Sequence, residues 1–189
     1  MNSIDTQTDR LTKGVAVVNL VKILKIYRRN SSLKAFTPAT EALFHEHILP
    51  NRWYPHDSFL ELLEFVYRHL LGSDEQNAVQ MGINGGLEVL QGVHGAFVQK
   101  HDPVGSILAM RHIWPTYYNF GALDGKAAGA HSVRFIVTDY PDISIAHAMM
   151  IIGWGIAAAQ LGGASDARYE VLKRPWKGDS LLSYRIDTE

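Results

Sequence analysis

Histidine is the residue type in this chain best suited to chemistry, and there are nine of them. The densest group is His45, His47 and His56, in the run HEHILPNRWYPH. Two metal ligands on a helix must stand three or four residues apart to share a face. His45 and His47 are two apart. The HExxH zinc pattern is absent as well. These three read as ordinary surface histidines, and no metal site is expected. His94, His112, His131 and His147 stand alone. His147 falls in an uncharged apolar segment, where burial would oblige its ring to find hydrogen-bond partners. A satisfied core histidine is the preferred reading, with a ligand contact or heme ligand as the sharper one.

Other chemistries are thinly represented. Cysteine is absent, which excludes disulfides, cysteine-based metal centres and a thiol nucleophile. The glycine run Met81-Gly82-Ile83-Asn84-Gly85-Gly86 lies inside a helical pattern, not between a strand and a helix, so it fails the context of a dinucleotide loop. No GxxxxGK[ST] or GxSxG occurs, and no pair of carboxylates has a context that would shift its pKa. Tyr169, Trp176 and Tyr184 alternate with Lys173, Arg174 and Lys177, a mix that could stack bases. The formal net charge is only −1, so this segment reads as an ordinary two-sided sheet and no nucleic-acid partner is expected. Lys22, Lys25 and Arg29 form a basic stripe, read as a solvated helix face that could also dock an acidic partner.

The elements that must position these residues follow from periodicity. A hydrophobic share of 47% is that of a globular chain. Residues 1–12 are polar and read as a flexible tail, lacking the apolar run of a signal peptide; residues 13–189 read as a single α+β domain. Val17, Leu20, Val21 and Leu24 give a first helix. Thr37-Pro38 caps a second. Ser58 and Glu61 form a capping box ahead of the stripe Phe59, Leu62, Leu63, Val66 and Leu70, and Gly72-Ser73 marks a corner. The next helix is expected to run to about Val98. It carries Gly82, Gly85, Gly86, Gly92 and Gly95, at about 1 kcal/mol each relative to alanine inside a helix. Close crossing by another helix is the preferred explanation, with room for a ligand as the alternative. Asp102-Pro103 opens a further helix that should end before Pro115.

After Pro115 the period changes to two. Residues 116–124 and Val133, Phe135 and Val137 read as strands joined around Asp124-Gly125. An uncharged helix follows Pro141-Asp142; its stretch free of polar side chains, Ala148 to Ala159, suits a core helix better than a membrane span. Two more strands, around Tyr169 and Tyr184, are joined by residues 175–179. The expected architecture is N-terminal helices packed on a four-stranded antiparallel sheet in strand, strand, helix, strand, strand order.

Lys13-Gly14, Trp53-Tyr54-Pro55 before Phe59-Leu60-Glu61-Leu62-Leu63, Trp114, Gly153-Trp154-Gly155-Ile156 and Gly178-Asp179 before Tyr184-Arg185-Ile186 follow one another in an order that resembles a conserved myxobacterial family of similar length and unknown function. That family is similar in layout to the 4-vinyl-reductase domain and to core subunits of the TRAPP vesicle-tethering complex. The resemblance implies small-molecule sensing, or dimeric scaffolding with an acyl-type pocket. The absence of cysteine sets aside the metal role suspected in some 4-vinyl-reductase domains.

The resulting expectation is a non-enzymatic, cytoplasmic, ligand-binding sensory or regulatory domain. Its apolar pocket would lie between the glycine-bearing helix and the uncharged helix, at Gly86, Leu87, Leu90, Phe97, His147, Met150, Trp154 and Tyr184. No cofactor is expected beyond an unidentified small hydrophobic ligand. The alternative is a dimeric protein–protein adaptor in a signalling or trafficking assembly. No catalytic residues are assigned and no membrane span is expected.

Overall fold

The computed structural model describes residues 9–30 and 36–189. Residues 1–8 of the expected tail lie outside them, as do Lys34 and the side chain of Arg29. β1, Leu11–Lys13, spans the expected boundary between residues 1–12 and the domain. β1 pairs antiparallel with β2, Trp53–Pro55, in a small sheet that the sequence did not announce. Lys13 sits 3.9 Å over the Trp53 ring.

Helix α1, Gly14–Asn30, starts at once because Gly14 has no Cβ: one placed there would run into the carbonyl of Leu49. Its inward face is Val17, Leu20, Val21 and Leu24, as the spacing requires. Helix α2, Pro38–Ala42, is capped by the Thr37 side chain, with Pro38 in the first turn. Helix α3, His56–His69, begins two residues before the expected capping box, and no side chain caps it. Glu61 is committed elsewhere. Its carboxylate accepts from the Thr37 backbone N–H at 2.9 Å and from the Thr37 hydroxyl at 2.7 Å. Burial would raise its pKa, but hydrogen bonding from Thr40 and Thr37 holds it below the ordinary glutamate value.

Gly72 and Ser73, both at positive φ, turn the chain. The Asp74 side chain then caps helix α4, Glu75–Gln91. Gly92 ends this helix and Gly95 falls in a short 3-10 turn, so neither is a helix-interior glycine. Helix α5, Pro103–Tyr117, starts at the expected Asp102 cap but runs through Pro115. Helix α6, Ile145–Leu161, is capped by Ser144.

Strands β3 (Ala122–Gly129), β4 (Ser132–Thr138), β5 (Ala167–Lys173) and β6 (Leu182–Thr188) form an antiparallel sheet in the order β3-β4-β6-β5. The expected fold class stands. The first turn is corrected, because Asp124-Gly125 lies inside β3, facing Ile136 and Phe135, and the chain turns after Gly129. Gly125 is there for a different reason: a Cβ would strike the Phe135 ring, which packs across the strand.

Helix α6 lies between the sheet and α4. A Cβ on Gly155 would meet the Ile186 side chain of β6, and one on Gly153 the carbonyl of Val79 on α4. Both faces are buried, which is why the helix is apolar all round. Gly82 and Gly86 of α4 complete the crossing, abutting the Met150 carbonyl and the Ala157 Cβ. Close crossing is therefore the reason for Gly82, Gly86 and Gly153. Among the described residues no helix is long and apolar enough to cross a membrane.

Candidate functional site

Helix α1 packs on α3, and α4 packs on α6. Between the two pairs lies a cavity of about 830 Å³. Its depth is apolar and aromatic: Phe59, Met110, Ile113, Trp114, Tyr117, Tyr118, Leu123, Met150, Trp154 and Tyr184. Its exposed lining residues are Asn19, Lys22 and Ile23 of α1 and Asn77, Gln80, Asn84 and Glu88 of α4. The cavity thus opens to solvent between α1 and α4, with both charges, Lys22 and Glu88, at the mouth. Tyr117 contributes a buried hydroxyl with no hydrogen-bond partner among the described residues, and burial raises its pKa to about 12, so it stays a phenol.

Of the residues expected at a site, Met150, Trp154 and Tyr184 line this cavity. Gly86 faces α6, while Leu87, Leu90 and Phe97 pack into the core away from it. Gly85 and Gly155, not Gly86, are the lining glycines. The contribution of α1 was not read from the sequence. A polar-edged helix face looks like solvent surface until another helix stands opposite it.

A second cluster lies behind the cavity wall. His56 and His147 are both fully buried, with ring centroids 5.7 Å apart. His45 and His47 are exposed, as expected, but His56 is not the surface histidine the sequence suggested. Thr12 Oγ1 lies 2.6 Å from His56 Nδ1, and His56 Nε2 lies 2.6 Å from the Tyr140 hydroxyl. That hydroxyl is 2.9 Å from His147 Nδ1, and His147 Nε2 is 2.8 Å from the Tyr118 hydroxyl. Every ring nitrogen has one partner. Burial pushes the His56 pKa down to about 3 and that of His147 well below the ordinary value, so both rings are neutral. Burial likewise raises the Tyr118 and Tyr140 pKa values. At the surface, Arg10 forms a two-pronged ion pair with Asp142, at 2.6 and 2.8 Å, and its guanidinium lies 5.8 Å from the Tyr140 ring.

No protein-family model and no curated protein matches the sequence. Solved structures do match in fold. An H-NOX protein from S. oneidensis in the Fe(II)NO ligation state superposes with a TM-score of 0.63 at 10% identity, over 94% of this chain and 99% of that one. A variant of the K. algicida H-NOX protein, Fe(II) and unliganded, gives 0.61 at 13% identity over 94% and 96%. An oxygen-binding H-NOX domain related to soluble guanylate cyclases gives 0.61 at 13% over 94% and 95%. The chain has the H-NOX fold.

Two expectations are corrected by these matches. The resemblance to a myxobacterial family, and through it to 4-vinyl-reductase and TRAPP domains, does not stand: the structural neighbours are H-NOX domains, and a myxobacterial origin is not shown. Helices ahead of a strand, strand, helix, strand, strand unit form a layout that more than one family can share, and the motifs that suggested the resemblance are short. The expectation of no cofactor falls too, because the neighbours are described in Fe(II) and heme terms. Heme therefore has to be tested against the residues present. The apolar depth suits a macrocycle. His56 and His147 are the first residues to consider as iron ligands, but neither lines the cavity and each ring nitrogen already has a protein partner. The donors that do line it are the thioethers of Met81, Met110 and Met150 and the phenols of Tyr117, Tyr118 and Tyr184, with the Lys22 amine and the Glu88 carboxylate at the mouth. As arranged, the side chains do not fit a histidine-ligated heme.

Proposed function

We propose that this protein is a non-enzymatic ligand-binding sensor domain whose ligand sits in the cavity between α1 and α4. Fold alone does not carry function. The observation that carries this reading is the cavity itself. Its volume of about 830 Å³ falls within the range of roughly 300–1,000 Å³ usual for small-molecule sites. Its apolar depth and polar mouth suit a largely hydrophobic molecule that enters between the helices. Met150, Trp154 and Tyr184 are its proposed contacts from the C-terminal half, with Phe59, Met110 and Tyr118 opposite. The H-NOX neighbours, described as ligated by NO or oxygen, support sensing as the role.

Native mass spectrometry of the protein as purified, with a hemin titration followed by absorbance, tests the reading. The expected results are a bound mass lost on denaturation, or saturable hemin binding. Either should be abolished by Ala16→Trp, which places a large ring at the cavity lining. A chain at its own mass of 21.1 kDa that binds no hemin, or binding indifferent to A16W, overturns it.

A further inference from the structure

Resting on that reading of the cavity, we infer that Thr12, His56, Tyr140, His147 and Tyr118 form a tautomeric relay. Through it, the state of the cavity wall is coupled to strand β1. The groups lie in series, at 2.6, 2.6, 2.9 and 2.8 Å. They come from β1, the start of α3, the segment after β4, α6 and the end of α5. Tyr118 lines the cavity, and its backbone is also bridged to that of Thr12.

Proton counting gives the relay its two states. Each of the five neutral groups carries one proton, and there are four bonds. One proton is always left over. A neutral imidazole accepting on both nitrogens would have no place for its own proton, so the extra proton sits on an oxygen. If it sits on Tyr118, every bond points from Thr12 toward Tyr118 and both histidines are protonated on Nε2. If it sits on Thr12, every bond points the other way and both are protonated on Nδ1. The third arrangement leaves it on Tyr140, buried between two donating N–H groups, and gives the histidines unlike tautomers; repulsion disfavours it. Conversion between the end states moves four protons across their own bonds. The fifth leaves one end as another joins the opposite end through solvent, so the proton count is unchanged. A cavity ligand presenting an acceptor to the Tyr118 hydroxyl favours the Nε2–H state. Thr12, paired with β2 and next to the Arg10–Asp142 clamp, changes from acceptor-free donor to acceptor of the His56 proton between the states.

The test is long-range ¹H–¹⁵N correlation NMR of histidine-labelled full-length protein near neutral pH. In the native chain both histidines should show the same tautomer, or the same averaged mixture; unlike tautomers overturn the relay. Substitutions at the ends should then act at a distance. In Thr12→Val the Nδ1–H state leaves one unpaired group and the Nε2–H state leaves two, so His147, which Thr12 does not touch, should become Nδ1–H. In Tyr118→Phe the count reverses, and His56 should become Nε2–H. Thr12→Ser, which keeps the hydroxyl, should restore the native spectrum. If the distal histidine keeps one tautomer in both T12V and Y118F, the groups are only a satisfied core cluster and the inference fails. If the relay behaves as stated but native mass spectrometry and hemin titration show no cavity ligand, the relay stands and the sensor reading fails.

Discussion

Gly153→Ala and Gly85→Ala are the same substitution on facing helices, and the structure assigns them opposite signs. At Gly153 the new Cβ would overlap the Val79 carbonyl and stand 2.7 Å from the Ile83 nitrogen and 2.8 Å from the Gly82 carbonyl carbon. All three are backbone atoms, which no rotamer change can clear, so α4 and α6 must separate. Over-packing of this kind costs about 1–3 kcal/mol. Separation also weakens packing between Gly82 and Gly86 on α4 and Met150, Trp154 and Ala157 on α6. Replacing a helical glycine returns about 1 kcal/mol. The net expectation is a loss of about 1 kcal/mol, or about 2–4 °C in Tm at this chain length. At Gly85 the nearest atom to the new Cβ is Trp154 Nε1 at 3.6 Å, an ordinary contact. Only the helix term remains there, and G85A should gain about 1 kcal/mol. Urea unfolding read by tryptophan fluorescence measures both variants, provided that the m-value is unchanged. A G153A protein as stable as the native chain, or a destabilised G85A, would refute the argument that backbone contact at this crossing selects glycine.

Three further outcomes follow from the same geometry. His56 and His147 have folded-state pKa values depressed below the ordinary histidine value, so the unfolded chain binds more protons as acid is added. Their stabilising contribution is complete above about pH 6.5 and is lost toward the His56 value of about 3, at up to roughly 1.4 kcal/mol per pH unit for each ring. A urea midpoint that stays flat from pH 7 to 5 contradicts this. Tyr117→Phe removes a buried hydroxyl without a partner and should be neutral or stabilising by about 1 kcal/mol; a clear loss of Tm would mean that the hydroxyl is bonded. Asp142→Asn breaks a partly exposed ion pair and should cost about 1 kcal/mol or less, with salt narrowing the difference. Arg10→Ala should cost more, because the guanidinium also lies 5.4 Å from the Phe120 ring centroid. Equal losses that salt leaves unchanged would argue against the pair.

What the sequence revealed was what short-range physics decides. Thr37-Pro38 and Asp102-Pro103 start helices where expected, because a cap and a fixed φ act within one turn. The stripe through Val17 and Leu24 and the alternation at Val133, Phe135 and Val137 bury as they should. The misreadings have partners far along the chain. Glu61 abandons Ser58 for Thr37, and Gly125 makes room for Phe135 rather than turning the chain. The site was half visible: Met150, Trp154 and Tyr184 were found because apolar residues were sought. The polar edge of α4, at Asn77, Gln80 and Asn84, was passed over for that same reason. His56 could not be distinguished from its exposed neighbours, since its companion His147 is brought to it only by the fold.

Helix α6, filled on one side by α4 and on the other by β6, has a consequence for how this sequence can change over generations. A surface helix lets solvent absorb an altered residue; this one offers that only at Gln160 and where it lines the cavity. Enlargement at position 153 meets the backbone of Val79, Gly82 and Ile83 on α4, which no side-chain change clears, whereas enlargement at 155 meets only the Cδ1 tip of Ile186, which a new rotamer or a smaller residue relieves. Position 153 should therefore stay glycine through descent, while an enlarged 155 should be inherited together with a change at 186. An alignment of relatives would display the α4 crossing as an invariant column and the β6 face as a covarying pair.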